Sequence, residues 1–187
     1  MATAGMAKTV PCALVEARPE PAAAPRSKAA LRASLIAQRK AIPDDERVAA
    51  AIAVAHHLAA WVPFATAKLV GSYAPMGAEI APPQLADPSL PVLAPPGFAP
   101  HPITSLDLLL MPVVGVTLTG IRLGRGSGWY DRLLAGLPRR PLLVAIAYDF
   151  QVIEAVLADP WDVAIDAICT PTRLVMTGAS GLTATSA

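Results

Sequence analysis

The chain has 187 residues, enough for one domain with a sizeable core and too few for two full ones. Its formal net charge is +1, so no global field favours nucleic acid or an anionic membrane surface. No apolar run reaches the ~20 residues of a membrane span. Cys12 and Cys169 lie far apart and form no metal spacing, so no disulfide and a reducing, cytoplasmic setting are expected.

Residues 1–27 are rich in Ala and Pro, and Pro11, Pro19, Pro21 and Pro25 forbid a continuous helix. They lack the unbroken apolar stretch of a secretory signal and read as a disordered leader. The tail 178–187 reads as disordered on the same compositional ground. A domain is therefore expected over 28–177.

Ser27 is suited to cap a helix from Lys28 to about Ala41, with Leu31, Leu35 and Ile36 as its apolar stripe. Lys28 and Arg32 are four apart and share one face, either as two solvated cations or as anion ligands. Pro43 and the acids Asp44, Asp45 and Glu46 open a second helix, running to about Trp61. His56 and His57 on that helix have no acid at i+4 spacing and read as packed or partly exposed. Lys68–Ala74 reads as a strand, with Met76–Glu79 as the loop after it, and Leu90–Ala94 as another short strand.

Asp107–Val114 is the clearest buried strand, followed by Pro141–Tyr148 and Ile165–Thr170. Helical patterns fall at Trp129–Ala135 and Gln151–Ala158. Near-continuous apolar strands alternating with helices imply a single-domain α/β layered sheet, largely parallel, with helices on both faces. In such sheets ligands bind outside the carboxyl ends of the strands. Glu79, the loop around Gly126, and Asp149 all follow strands and could reach one crevice.

The most informative stretch is Arg122-Leu-Gly-Arg-Gly-Ser-Gly-Trp-Tyr-Asp131. Glycines tolerate φ > 0 and let bare backbone N–H groups approach an anion. A following helix N-terminus would add partial positive charge. Arg122 and Arg125 can fork onto phosphate or carboxylate oxygens, and Asp131 offers a hard oxygen ligand for Mg²⁺. On the glycines alone, a surface turn fits equally well. No Lys-Ser/Thr pair closes a Walker A loop. Gly124, Gly126 and Gly128, with Asp149 after the next strand, resemble a dinucleotide fingerprint, but the connection from Val114 to Gly124 is too long and the next helix too short. Ser127 lacks the nucleophile-elbow spacing, and His101 lies in a proline-rich loop.

The same stretch, read on to Arg132, resembles the R-L-G-x-G-x-G-[YF]-Y-D-R signature of the 5-formyltetrahydrofolate cyclo-ligase (5,10-methenyltetrahydrofolate synthetase) family. Lys28-Ala-Ala-Leu-Arg32 resembles that family's K-x-x-L-R helix, and Tyr73–Glu79 its Y-x-x-x-x-x-E segment. Asp107–Pro112, Val144–Gln151 and Trp161–Thr170 resemble its remaining blocks, in order, over about residues 28–175. The resemblance implies a cyclo-ligase fold of the NagB/RpiA/CoA-transferase-like kind and a monomer without nucleic-acid or membrane partners. It also implies ATP- and Mg²⁺-dependent closure of 5-formyltetrahydrofolate to 5,10-methenyltetrahydrofolate.

Carried over residue by residue, the resemblance places ATP on Lys28, Arg32, Arg122, Leu123, Gly124, Arg125, Gly126, Ser127, Gly128, Trp129 and Tyr130. It places the folate on Ala74, Glu79, Arg125, Gly126, Ser127, Gly128 and Trp129. Arg125 and Glu79 take catalytic roles, and Asp131 and Asp166 hold Mg²⁺. The segment between Glu79 and Asp107 is shorter than the family's, and Val116 and Thr117 stand where members have Phe and Asp. A degenerate homologue that binds nucleotide or folate without turnover is the alternative expectation.

Overall fold

The computed structural model describes residues 27–83 and 103–178. The expected leader, tail and Leu90–Ala94 strand, with Cys12 and His101, lie outside the described residues.

Helix α1 spans Lys28–Lys40, and the Ser27 hydroxyl accepts the Ala30 N–H at 3.2 Å as its cap. Helix α2 spans Asp44–Ala59, with Pro43 before it and three acids in its first turn. A single turn, α3 (Val62–Ala65), leads into the short strand β1 (Val70–Gly71). Then come β2 (Leu108–Pro112), β3 (Gly115–Thr117), β4 (Arg122–Leu123) and helix α4 (Trp129–Leu134). Strands β5 (Leu142–Ile146), β6 (Val152–Ile153), β7 (Ala167–Cys169) and β8 (Leu174–Met176) complete the fold.

The main sheet has the order β1-β2-β5-β7-β8, parallel throughout except for antiparallel β8. The expected α/β class and largely parallel sheet are thus present. Alternation along the strands divides two cores. Leu108, Leu110, Val144, Ile146, Ala167 and Cys169 face α2, where Val54 and Leu58 are fully buried. Burying each of these two aliphatic side chains contributes roughly 1.5–3 kcal/mol. On the opposite face, Leu109, Met111, Leu143, Ala145 and Ile168 pack against Leu134 of α4 and Ile165. No described helix is long and apolar enough to cross a membrane.

A second, three-stranded sheet, β4-β3-β6, was not anticipated. It pairs Gly115 with Leu123 and Val116 with Arg122, so the start of the glycine loop is anchored to a backbone ladder. Its third strand replaces the helix expected over Gln151–Ala158. Residues Asp149–Gln151 form a 3-10 turn, and Val152 and Ile153 pair with Val116 and Thr117. The Gln151 carboxamide explains the difference. Its Oε1 accepts the Tyr148 N–H, and its Nε2 donates to the Val113 and Val114 carbonyls. With those contacts Gln151 ties the chain to the end of β2, and the β-branched pair after it continues as strand.

Candidate active site

The site is assembled where β2 ends. Val113 and Val114 leave the carboxyl end of that strand, and β3 and β4 carry the chain back as an antiparallel pair into the loop 124–128. Gly126 adopts φ +104° and Gly128 φ +60°, the left-handed region that glycine enters without penalty. The resulting loop exposes Arg125, Gly126 and Ser127. Helix α4 behind it has only six residues, so its dipole is a minor contribution and the loop amides and cations dominate.

Helix α1 lies across this loop. The Arg32 Nε donates to the Gly124 carbonyl at 2.8 Å, which fixes one guanidinium beside the glycines. Lys28, one turn earlier, reaches Asp159 at 2.6 Å and Asp162 at 3.8 Å. Arg122 Nη2 meets Asp131 Oδ1 at 2.7 Å, and its guanidinium lies 5.4 Å from the Tyr130 ring centroid. Its Nε is buried and has no hydrogen-bond partner among the described residues. A buried orphan donor on an arginine is a demand for an acceptor. Trp129 and Tyr130 contact edge to face at 4.7 Å, and burial pushes the Tyr130 phenol well above its ordinary value.

Glu79 closes the opposite wall. Its side chain is only 5% exposed; Oε2 accepts the Met76 N–H at 2.9 Å, and Oε1 lies 3.5 Å from Arg39 Nη2 and 3.7 Å from Arg125 Nη1. Tyr73, whose hydroxyl donates to the Ile80 carbonyl at 2.6 Å, holds the turn carrying Glu79. Burial, and secondarily the Glu79 charge, raise the Tyr73 phenol above its ordinary value.

A cavity of about 200 Å³ opens between these walls. Every site residue that the resemblance carried over lines it except Asp166: Lys28, Arg32, Ala74, Glu79, the run Arg122–Tyr130, and Asp131. Asp149, also expected to reach this crevice, does not line it; its carboxylate accepts instead from the Thr170 and Thr172 hydroxyls. Asp166 sits elsewhere. It precedes β7 at the amino end of the parallel sheet, whereas the cavity sits at the carboxyl end. Arg140 forks onto both its carboxylate oxygens, one at 2.7 Å, and the Leu143 N–H adds a bond at 2.8 Å. That hydrogen bonding raises the Arg140 guanidinium above its ordinary value. Among the described residues no group of three acidic, histidine or cysteine side chains is arranged to hold a metal.

The sequence reading did not single out Tyr73, Met76, Asp159, Trp161 or Asp162, all of which also line the cavity, nor Arg39 behind it. Arg39 carried one signal: it stands four residues after Leu35 and seven after Arg32, a cation on the buried face of α1. Trp161 and Asp162 were seen only as the start of the Trp161–Thr170 block, because an exposed tryptophan in a loop has no periodicity to place it at a site.

A glycine loop with flanking arginines, at the carboxyl edge of a mainly parallel sheet and facing a buried acid, defines an α/β enzyme with an anion-receptive cleft. The profile of the 5-formyltetrahydrofolate cyclo-ligase family matches residues 93–171. A 5-formyltetrahydrofolate cyclo-ligase of Mycolicibacterium smegmatis is 27% identical, the match covering 80% of this chain and 96% of that protein. That alignment runs over 188 positions, more than the 187 residues present here, so positions of the relative have no counterpart in this chain. The Mycoplasma pneumoniae cyclo-ligase is 46% identical over 71 residues, which cover 38% of this chain and 41% of that protein. A solved 5,10-methenyltetrahydrofolate synthetase from Mycoplasma pneumoniae superposes with a TM-score of 0.65 at 27% identity, covering 78% of this chain and 99% of that one. The Aquifex aeolicus synthetase gives 0.64 at 25% identity, covering 80% and 92%. The chain resembles the 5-formyltetrahydrofolate cyclo-ligase family in sequence over residues 93–171 and in fold over most of its length, and the relatives it matches are ligases.

Proposed function

We propose that this chain closes 5-formyltetrahydrofolate to 5,10-methenyltetrahydrofolate at the expense of ATP, releasing ADP and phosphate. The observation that carries this reading is the single cavity into which the glycine loop, four basic side chains and the buried Glu79 converge. The formyl oxygen is a poor leaving group as it stands. Transfer of the γ-phosphoryl group to it, with ADP departing, converts it into phosphate. N10 then attacks the activated carbon, loses its proton, and phosphate leaves with the former formyl oxygen.

Little covalent chemistry is left to the protein, which positions the reactants and compensates charge. Lys28, Arg32, Arg122 and the amides of the glycine loop hold the triphosphate, the orphaned Arg122 Nε taking one acceptor. Arg125, half-exposed and reaching toward Glu79, follows the transferred phosphoryl group. Glu79 and Ala74 hold the folate near its formyl-bearing ring, with Trp129 as a flat apolar wall. Bound Mg²⁺ would neutralise phosphate charge; Asp131, at the end of the loop, is the residue that would hold it. One carboxylate with phosphate oxygens and water is a usual set for this ion. We place the reaction in the cytoplasm, on a monomer.

Purified protein with ATP, Mg²⁺ and 5-formyltetrahydrofolate is expected to generate the near-ultraviolet absorbance of the methenyl product together with stoichiometric ADP. Neither signal at high enzyme would defeat the proposal. The shortened segment after Glu79 favours one second reading, a homologue that binds nucleotide or folate without turnover. Calorimetry showing ATP binding beside absent turnover would select it.

A further inference from the structure

Glu79 presents an ionisable carboxylate at 5% exposure, and a charge so buried is tolerated only when paired. Two guanidinium groups approach the same oxygen, Oε1, but they differ in kind. Arg125 is 51% exposed, sits on the glycine loop, and makes its other contact with the Met76 sulfur at 3.5 Å. An incoming polyanion will draw it away from the carboxylate. Arg39 is 6% exposed, rises from the inner face of α1, and is fixed at its other nitrogen by the Val113 carbonyl at 3.2 Å. It does not line the cavity. Burial pushes its guanidinium below its ordinary value, and the Glu79 charge pulls it back up.

We propose that Arg39 is the positioning residue for Glu79: it holds the carboxylate in place and aimed into the folate end of the cavity once the triphosphate has claimed Arg125. The geometry behind this is a three-point hold. Met76 N–H fixes Oε2, Arg39 fixes Oε1 from behind, and Val113 together with the end of β2 fixes Arg39. The site thereby divides its cations by task. Lys28, Arg32, Arg122 and Arg125 face the anion, whereas Arg39 serves the acid and never meets either ligand. The inference rests on the function proposed above.

The test compares wild type, Arg39→Met, Arg39→Lys, Glu79→Gln and the Arg39→Met/Glu79→Gln double variant, with affinities for 5-formyltetrahydrofolate and for ATP measured separately by calorimetry. Arg39→Met is expected to weaken folate binding about 10-fold or more, the loss of a charge-assisted bond, while ATP binding stays within about twofold. Arg39→Lys is expected to recover most of the folate affinity, and the double variant to bind folate no worse than Glu79→Gln alone. Should Arg39→Met fail to fold, Arg39→Lys in the Glu79→Gln background carries the same comparison and is again expected to have no added effect. Parallel loss of both ligands without rescue by lysine, or additive losses in the double variant, would show a merely structural arginine and overturn the inference. Wild type that fails to bind 5-formyltetrahydrofolate would instead bring down the function itself; wild type that binds and turns over beside an unaffected Arg39→Met defeats this inference alone.

Discussion

Arg122 and Asp131 stand at the two ends of the glycine loop and meet across it at 2.7 Å, Nη2 donating to Oδ1. The pair closes the loop like a clasp and places the one acid of the signature beside its first arginine. Asp131 therefore restrains Arg122 and, in the proposed function, also offers an oxygen to a metal. Asp131→Asn retains the shape but weakens both. The Mg²⁺ concentration for half-maximal turnover is expected to rise several-fold, whereas an unaltered titration would remove Asp131 from metal binding.

Arg125→Ala removes a half-exposed guanidinium that the fold does not need, so its thermal stability should match wild type. Turnover should fall by the loss of a charge-assisted bond in the transition state, about 1.5–3 kcal/mol. Steady-state kinetics decide it: unchanged kcat and KM would show a solvated side chain.

Asp166→Asn is expected to behave in the opposite way. The residue braces Arg140 and the Leu143 N–H at the amino edge of the sheet. Breaking that fork should cost about 1–3 kcal/mol of stability, Arg140 being partly exposed, and leave the Mg²⁺ titration unmoved. A shifted titration at unchanged stability would return Asp166 to the metal.

Gly120 has φ +88°, and an added Cβ would lie 2.5 Å from the Ile165 carbonyl oxygen. Its own carbonyl accepts the Ile165 N–H at 2.9 Å. Gly120→Ala is expected to destabilise by about 2–4 kcal/mol, because backbone on both sides must move. Chemical denaturation measures this directly; a loss below 1 kcal/mol would mean that the β3–β4 turn is far softer than its contacts suggest.

Acid sensitivity should include Asp107. Its carboxylate accepts the Lys68 N–H at 2.8 Å and the Leu69 N–H at 3.0 Å, which lowers it below the ordinary carboxylate range. A lowered carboxylate stabilises the fold above its unfolded value, about pH 4, and the contribution disappears as pH falls through the folded value. Asp107→Asn should therefore melt earlier than wild type at pH 7, with the gap closing toward pH 2. A gap independent of pH would assign the effect to something other than charge.

What could be read in advance followed from how local each feature is. Leu108–Met111 announces itself as strand, because both of its faces are covered and no polar residue interrupts it. The glycine loop and its arginines are contiguous, so their convergence needed no tertiary knowledge. Gln151 misled the reading because a glutamine fits a helix well, and only the Val113 and Val114 carbonyls reveal why it ends one instead. Arg39 was hidden for the same reason: its partner Glu79 lies forty residues on, beyond any periodic signal. Asp166 came from resemblance alone, and its Arg140 partner lies just before β5, the strand next door in space.

On the proposed function, the parallel sheet has a working rim and a load-carrying rim. Random mutagenesis with expression and turnover scored separately should reveal that polarity. Lesions around Arg140 and Asp166 would register as missing protein. Lesions beyond Val113 would register as protein present and idle.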